Sequence, residues 1–254
     1  MHADHPSVTP ATPNPYLQSN GTLRNRVGLD DPRELAARER ANSLYGTASI
    51  RAGDYPPFPH TAAGHREVHR VLFTSTYAWA GRTRSVDLPP VTLADGREVP
   101  SVPHGQVPAA LRHAFDQLSP ALPRLAAEAA KPREERDVEL ASRVLTAHAA
   151  TLAYVRPFYV GSGRTLRQGL ENVAAVAHLH FDQDPLRKVD ERERWRDAVG
   201  RAVIDPRDLR PLREATAALL VPRERLAERL HEAQARTRER QRQRHREQGQ
   251  GLGD

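Results

Sequence analysis

Arg156-Pro157-Phe158-Tyr159-Val160-Gly161-Ser162-Gly163-Arg164-Thr165-Leu166-Arg167 brings together the residue types that can hold a phosphate group. Gly161 and Gly163 let the backbone turn tightly with no Cβ in the way, so successive amide N–H groups can converge at the start of the following helix. The helix dipole then favours an anion at that point. Arg164 and Arg167, three residues apart, project from neighbouring positions of the first turn, where two guanidinium groups can clamp a polyphosphate. A Gly-x-Gly-Arg turn also begins ordinary helices, and arginines on a helix surface also simply face water, so the turn alone leaves both readings open.

Helices must carry this turn. Before it, a buried helix is predicted over 134–153, because Ala141, Val144, Leu145, His148 and Leu152 recur at helical spacing along one face. That face takes His148 into the core, which favours a core histidine over a reacting one. After the turn, a helix opening at Gly163 or Arg164 shows Leu166, Leu170, Val173 and Ala177 on one side, with Glu171 on the arginine side placed for a local ion pair. Upstream, Asp31-Pro32 starts a helix that Leu35, Ala36, Glu39 and Leu44 continue. A second helix is expected over 60–74 and a third over 108–130 with bends at Pro120 and Pro123. Shorter helices are expected over 195–203 and 212–220. Val91 to Val99, β-branched on both arms of an Asp95-Gly96 turn, is the one convincing β element, a hairpin. The fold class that follows is mostly α, a helical bundle with one hairpin.

The 254-residue chain carries a net charge of +6, and 38% of its residues are hydrophobic, enough for one ordinary core. Lys131 and Lys188 are the only lysines, so the positive charge is arginine, which suits a phosphate-bearing or acidic partner as well as a GC-rich genome. Without cysteine, no disulfide or thiolate metal site contributes. No apolar run is long enough to span a membrane and residues 1–14 lack the features of a signal peptide, so a cytoplasmic protein is expected. The division expected is a disordered tail over 1–14, a folded domain over 15–221, and a charged helix with a disordered tail over 222–254. Glutamates dilute the arginine-rich end, making nucleic acid an unlikely partner.

A second stretch narrows the reading: Val68-His69-Arg70-Val71-Leu72-Phe73, then Tyr77-Ala78-Trp79-Ala80-Gly81-Arg82-Thr83-Arg84. Read by itself, it gives two large amphipathic rings, Tyr77 and Trp79, anchoring a loop after a helix. Together with the hairpin and the glycine turn, in that order, it resembles the Fic family. That family's pattern is a His-x-x-Leu-Phe helix end, a Tyr-x-Trp-Ala-Gly-x-x-Arg segment, a hairpin flap and His-Pro-Phe-x-(Asp/Glu)-Gly-Asn-Gly-Arg-x-x-Arg. Leu23 to Gly28 is similar to the family's lead-in, so the resemblance runs from Tyr16 to Leu220.

The resemblance implies a Fic-type domain that transfers AMP from ATP to a Ser, Thr or Tyr hydroxyl of a target protein. The loop histidine would take the proton, the acidic residue would hold Mg²⁺, and the glycine-arginine turn would bind the nucleotide phosphates. Carried over, Gly161, Ser162, Gly163, Arg164 and Arg167 are the nucleotide-binding positions, and Leu93, Asp95, Gly96 and Arg97 form the flap that registers the target chain. Arg156 stands at the position of the base, where a guanidinium cannot accept a proton at neutral pH. Val160 stands at the metal-binding acid, which puts Mg²⁺ in doubt, and Ser162 replaces the asparagine. Standard AMP transfer is therefore expected to be impaired. The alternatives are a pseudoenzyme that binds a nucleotide or a protein without turnover and, more remotely, an arginine-rich nucleic-acid binder. The family's inhibitory Ser/Thr-x-x-x-Glu-Gly/Asn pattern is not found in this sequence, which leaves a toxin-like protein with a separate antitoxin as a further expectation. The target protein is not legible.

Overall fold

The structure, a computed structural model, describes residues 14–224. The expectations for residues 1–13 and 225–254 lie outside the described residues. Helix α1, Pro32–Ala52, starts where Asp31 accepts hydrogen bonds from the Arg33 and Glu34 amides at 2.8 and 2.9 Å. Helix α2, Ala62–Phe73, is capped by Thr61, whose hydroxyl accepts from Gly64 N–H, and it buries Val68, His69, Leu72 and Phe73. The hairpin follows as β1, Val91–Thr92, and β2, Glu98–Val99, antiparallel with Val91 opposite Val99.

The expected third helix is broken rather than bent. Helix α3 runs Val107–Leu118, a 3-10 turn takes Ser119–Ala121, and α4 runs Leu122–Ala129. Pro120 and Pro123 withhold amide donors that a continuous helix would need. Helix α5, Val138–Val155, begins four residues later than expected because Asp137 caps it, accepting from Leu140 N–H at 2.8 Å. Helix α6, Ser162–Val176, starts at the serine of the turn, one residue before Gly163.

The chain then departs from the expectation of a single β element. Strand β3, Leu179–Phe181, pairs antiparallel with β4, Leu220–Pro222, across helices α7, Val189–Ile204, and α8, Arg210–Ala217. Leu220, expected at the end of a helix, instead sits opposite Phe181. Three-residue strands carry too short an alternation to stand out in a sequence.

Helix α5 is the central post, packed against α3, α6, α7 and α8. Leu145, Ala149 and Leu152 from α5, Leu170 and Val173 from α6, and Leu212 from α8 are all buried there. Each buried leucine contributes on the order of 1.5–3 kcal/mol. A second cluster, Val68, Leu72, Phe73 and Tyr77 with Trp79 and Val160 against it, joins α2 to the loop before α6. No helix among the described residues is long and apolar enough to cross a membrane.

Candidate functional site

The loop between α5 and α6 is fixed from behind. Arg84, 2% exposed, donates from Nε to the Arg156 carbonyl at 2.8 Å and from its terminal nitrogen to the Val102 carbonyl, while its own amide donates to Pro157 at 2.9 Å. A guanidinium at the C-terminal end of α5 thus meets carbonyls the helix leaves open. His69 ties two segments together. The Gly81 amide donates to Nδ1 at 2.8 Å, so Nε2 carries the proton that goes to the Val160 carbonyl at 3.0 Å. Phe158 stacks on the His69 ring with centroids 3.8 Å apart. Ser162 Oγ accepts from Phe158 N–H at 3.1 Å and donates back to the Phe158 carbonyl at 3.0 Å. These contacts explain the spacing of the three motif segments.

Gly161 opens α6 at φ 85°, and a Cβ built there would lie 2.4 Å from the Phe73 ring. No side chain caps this N-terminus; the first amide engaged is that of Thr165, which donates to the Gly161 carbonyl at 2.9 Å. Earlier amides of the turn are the groups that such a helix start offers to an anion. Gly163 leaves its side open, its nearest neighbour being an Arg167 Nη1 atom 3.8 Å from where a Cβ would stand.

The two arginines of the turn have different surroundings. Arg164 ion-pairs with the buried Glu39 carboxylate of α1, donates to Ser43 Oγ at 2.9 Å, and lies 4.7 Å above the Phe73 ring. The other Glu39 oxygen accepts from the Tyr77 hydroxyl. Arg167 makes no ion pair or hydrogen bond among the described residues. Burial, then Arg164 and Arg192, draw its pKa down to about 10. Arg164 and Arg167 both line a groove against α1, and Arg167 also lines a cleft on the flap side.

That cleft, about 340 Å³, is bounded by Arg156, Ser162, Gly163 and Arg167, by Leu93 and Val99 of the flap, and by α7. The flap rests on α7 where Gly200 allows it: a Cβ there would meet Leu93 at 2.5 Å and Val99 at 2.9 Å. Leu93 is buried in this contact. Asp95 pairs with Arg97 at 2.9 Å and with Arg201 of α7 at 3.0 Å, and Gly96 takes φ 82° in the turn. Helix α7 also brings Arg192, Arg196 and Trp195 to the cleft. The Trp195 indole N–H is buried without an acceptor among the described residues. Sequence reasoning missed these α7 residues. Their only local sign is the four-residue spacing of Arg192 and Arg196, shared by many solvated helices.

The Arg156 end of the loop differs in chemistry from the glycine turn. Arg156 caps α5 at φ 42° and donates to the Pro89 carbonyl at 2.8 Å. Burial, then Arg84 and Arg196, lower its pKa. His148 is buried against Phe115 in the core, its pKa drawn to about 4 by burial and His60. Glu171 does form an ion pair, but its partner is Arg51 of α1, held through two 2.9 Å bonds, and Gln183 donates to it at 2.7 Å. Tyr159 packs on Tyr16, ring centroids 4.2 Å apart. A magnesium ion does not fit these residues. Val160 supplies no side-chain oxygen, and among the described residues no three His, Cys, Asp or Glu groups cluster to hold a metal.

No family model matches the sequence. Among curated proteins, the chain is similar to the protein adenylyltransferase VbhT of Bartonella schoenbuchensis, 26% identical over 191 residues, 73% of this chain and 35% of that protein. The chain thus spans about a third of the length of the curated relative it matches. Among solved structures it is similar to the N-terminal Fic domain of a VirB-translocated Bep effector protein from Bartonella quintana, with 22% identity, TM-score 0.65, and coverage of 86% of this chain and 97% of that one. A Fic-domain structure from the same organism with bound ADP has 23% identity, TM-score 0.63, and coverage of 84% and 97%. BepC from Bartonella tribocorum with bound AMPPNP has 22% identity, TM-score 0.62, and coverage of 82% and 96%. At these identities, the structural likeness establishes the fold.

Proposed function

With the chain a Fic-family protein, a reading that the curated relative and the Fic fold support, we propose that its glycine turn binds the phosphates of a nucleotide and that AMP transfer to a target hydroxyl is impaired. One observation carries the binding half. Arg167 is a partly buried guanidinium beside Gly163 that has no carboxylate partner among the described residues. Leaving such a charge unmatched is costly, and an anion at the open amides of α6 offsets that cost. ATP or a related nucleotide is the favoured anion because similar structures were solved with ADP and AMPPNP.

The chemistry half follows from Arg156. Transfer of AMP needs a group that removes the hydroxyl proton, and a guanidinium already carries its full complement. Here it also donates to the Pro89 carbonyl. A missing general base lowers a rate by about 10²–10⁴. The flap would still receive a target chain along the backbone edge beside Leu93, Asp95, Gly96 and Arg97. A second reading, a nucleotide- or protein-binding chain without turnover, rests on the same Arg156–Pro89 bond, which commits the side chain to a structural contact.

The test uses ATP labelled at the α-phosphate. The wild-type chain is expected to retain ATP in equilibrium dialysis, Arg167→Ala to weaken retention about tenfold or more, and lysate proteins to remain unlabelled. Arg156→His with Val160→Glu should then produce label on protein. Failure of the wild type to retain any nucleotide would overturn the binding half; wild-type labelling as strong as that of the double variant would overturn the impairment.

A further inference from the structure

The cleft beside the turn holds more positive charge than a turn-and-helix anion site needs. Arg156 and Arg167 approach from the α5–α6 side, and Arg192 and Arg196 approach from α7. Arg192 and Arg196 stand one helical turn apart, ~6 Å between Cβ atoms. The pairs face each other: Arg192 is close enough to Arg167, and Arg196 to Arg156, for like charges to make each inner guanidinium less basic. Among the described residues both arginines of the α7 pair lean on Glu193, at 3.9 Å from Arg192 and 3.4 Å from Arg196, and Glu193 also lines the cleft. Four cations and the single carboxylate of Glu193 thus line a cavity of about 340 Å³. The lining keeps a surplus of positive charge that an entering anion would offset.

The charge needed to neutralise a polyphosphate is therefore present on the lining without a metal, and at the start of the turn beside it Val160 offers no side-chain oxygen for one. We infer that Arg192 and Arg196 of α7 form the second wall of a metal-independent polyphosphate site. In this site guanidinium groups from both sides of the cleft neutralise the ligand that a divalent cation would otherwise accompany. Arg167 meets the phosphate nearest Gly163, and the α7 pair spans the two charge centres beyond it. The identity of the ligand as a nucleotide rests on the function proposed above; the arginine cage itself does not.

Calorimetry on the full chain separates the two. ATP and inorganic tripolyphosphate are titrated in EDTA and in excess Mg²⁺, into wild type, Arg192→Gln, Arg196→Gln, the double variant, and Arg112→Gln as a charge control outside the cleft. Both ligands should bind in EDTA with an affinity within about threefold of that in Mg²⁺. Each α7 variant should lose about tenfold and the double variant about a hundredfold, whereas Arg112→Gln should lose less than about twofold. Thermal melts unchanged from wild type would exclude misfolding as the cause. ATP binding that appears only with Mg²⁺ overturns the inference, and so does EDTA-resistant binding that ignores both α7 substitutions, while either result leaves the proposed function standing. Tripolyphosphate bound through the α7 pair without ATP supports the cage and removes the nucleotide. Binding of neither ligand overturns both.

Discussion

Residues 156–162 are held from behind by groups with almost no exposure, Arg84 and His69, whereas the α7 face opposite them carries arginines with side chains 42% and 55% exposed that, among the described residues, lean only on Glu193. Both regions are rich in polar contacts. In the first, each contact satisfies a backbone group that burial would otherwise strand, so its loss costs stability. In the second, water can replace the partner, so the charges are available to a ligand at little structural cost. Position and charge are thus assigned to different walls of one cleft, and substitutions on the two walls should have different signatures.

The largest effect that would sharpen this contrast is pH. His65, His69 and His148 lie buried around Phe115 and Phe158, and burial lowers their pKa values to about 3, 4 and 4. In the unfolded chain each returns to ~6.5. Below that value the unfolded chain binds more protons than the folded one, so stability is complete above pH 6.5 and is lost as the pH falls toward the folded values. Thermal melts at constant ionic strength should fall steadily from pH 6.5 to 4.5, by several kcal/mol in all. A flat profile over that window would break the claim that the loop side is the desolvated one.

Gly161→Ala comes next. The added methyl meets the Phe73 ring at 2.4 Å from a backbone at φ 85°. Left-handed strain and overpacking together predict a loss of roughly 2–5 kcal/mol in urea denaturation. A loss below about 1 kcal/mol would mean that Phe73 and the turn give way easily. The smallest effect belongs to the flap. Asp95→Ala removes the exposed pairs to Arg97 and Arg201 while Leu93 and Val99 stay packed on Gly200. Its melting temperature should match wild type, and a drop of several degrees would show that surface pairs, not apolar packing, fasten the flap.

Much of the loop side was legible because its signals are local. Asp31-Pro32 announces a helix start, Asp95-Gly96 announces the hairpin, and Gly161 announces a backbone that only glycine accepts at ease. The order of the motif segments also anticipated the fold. What stayed hidden depends on partners far along the chain. Nothing near Glu39 says that it will meet Arg164, nor near Glu171 that it will meet Arg51, since each pairing spans more than a hundred residues. The β3–β4 pairing joins two three-residue strands that have no pattern to read alone. Arg192 and Arg196 become part of a cleft only once α7 is folded against α5.

His69 carries one more consequence. Its imidazole reaches the loop between α5 and α6, where a neutral histidine could in principle accept a proton. Yet one of its nitrogens has already received the Gly81 amide, and the other has already given its hydrogen to Val160. To take a proton from an incoming hydroxyl it would have to release the strap that keeps Trp79 and the glycine turn in register. Both nitrogens of this histidine are thus committed to architecture, and any proton it accepted would come at the expense of the frame.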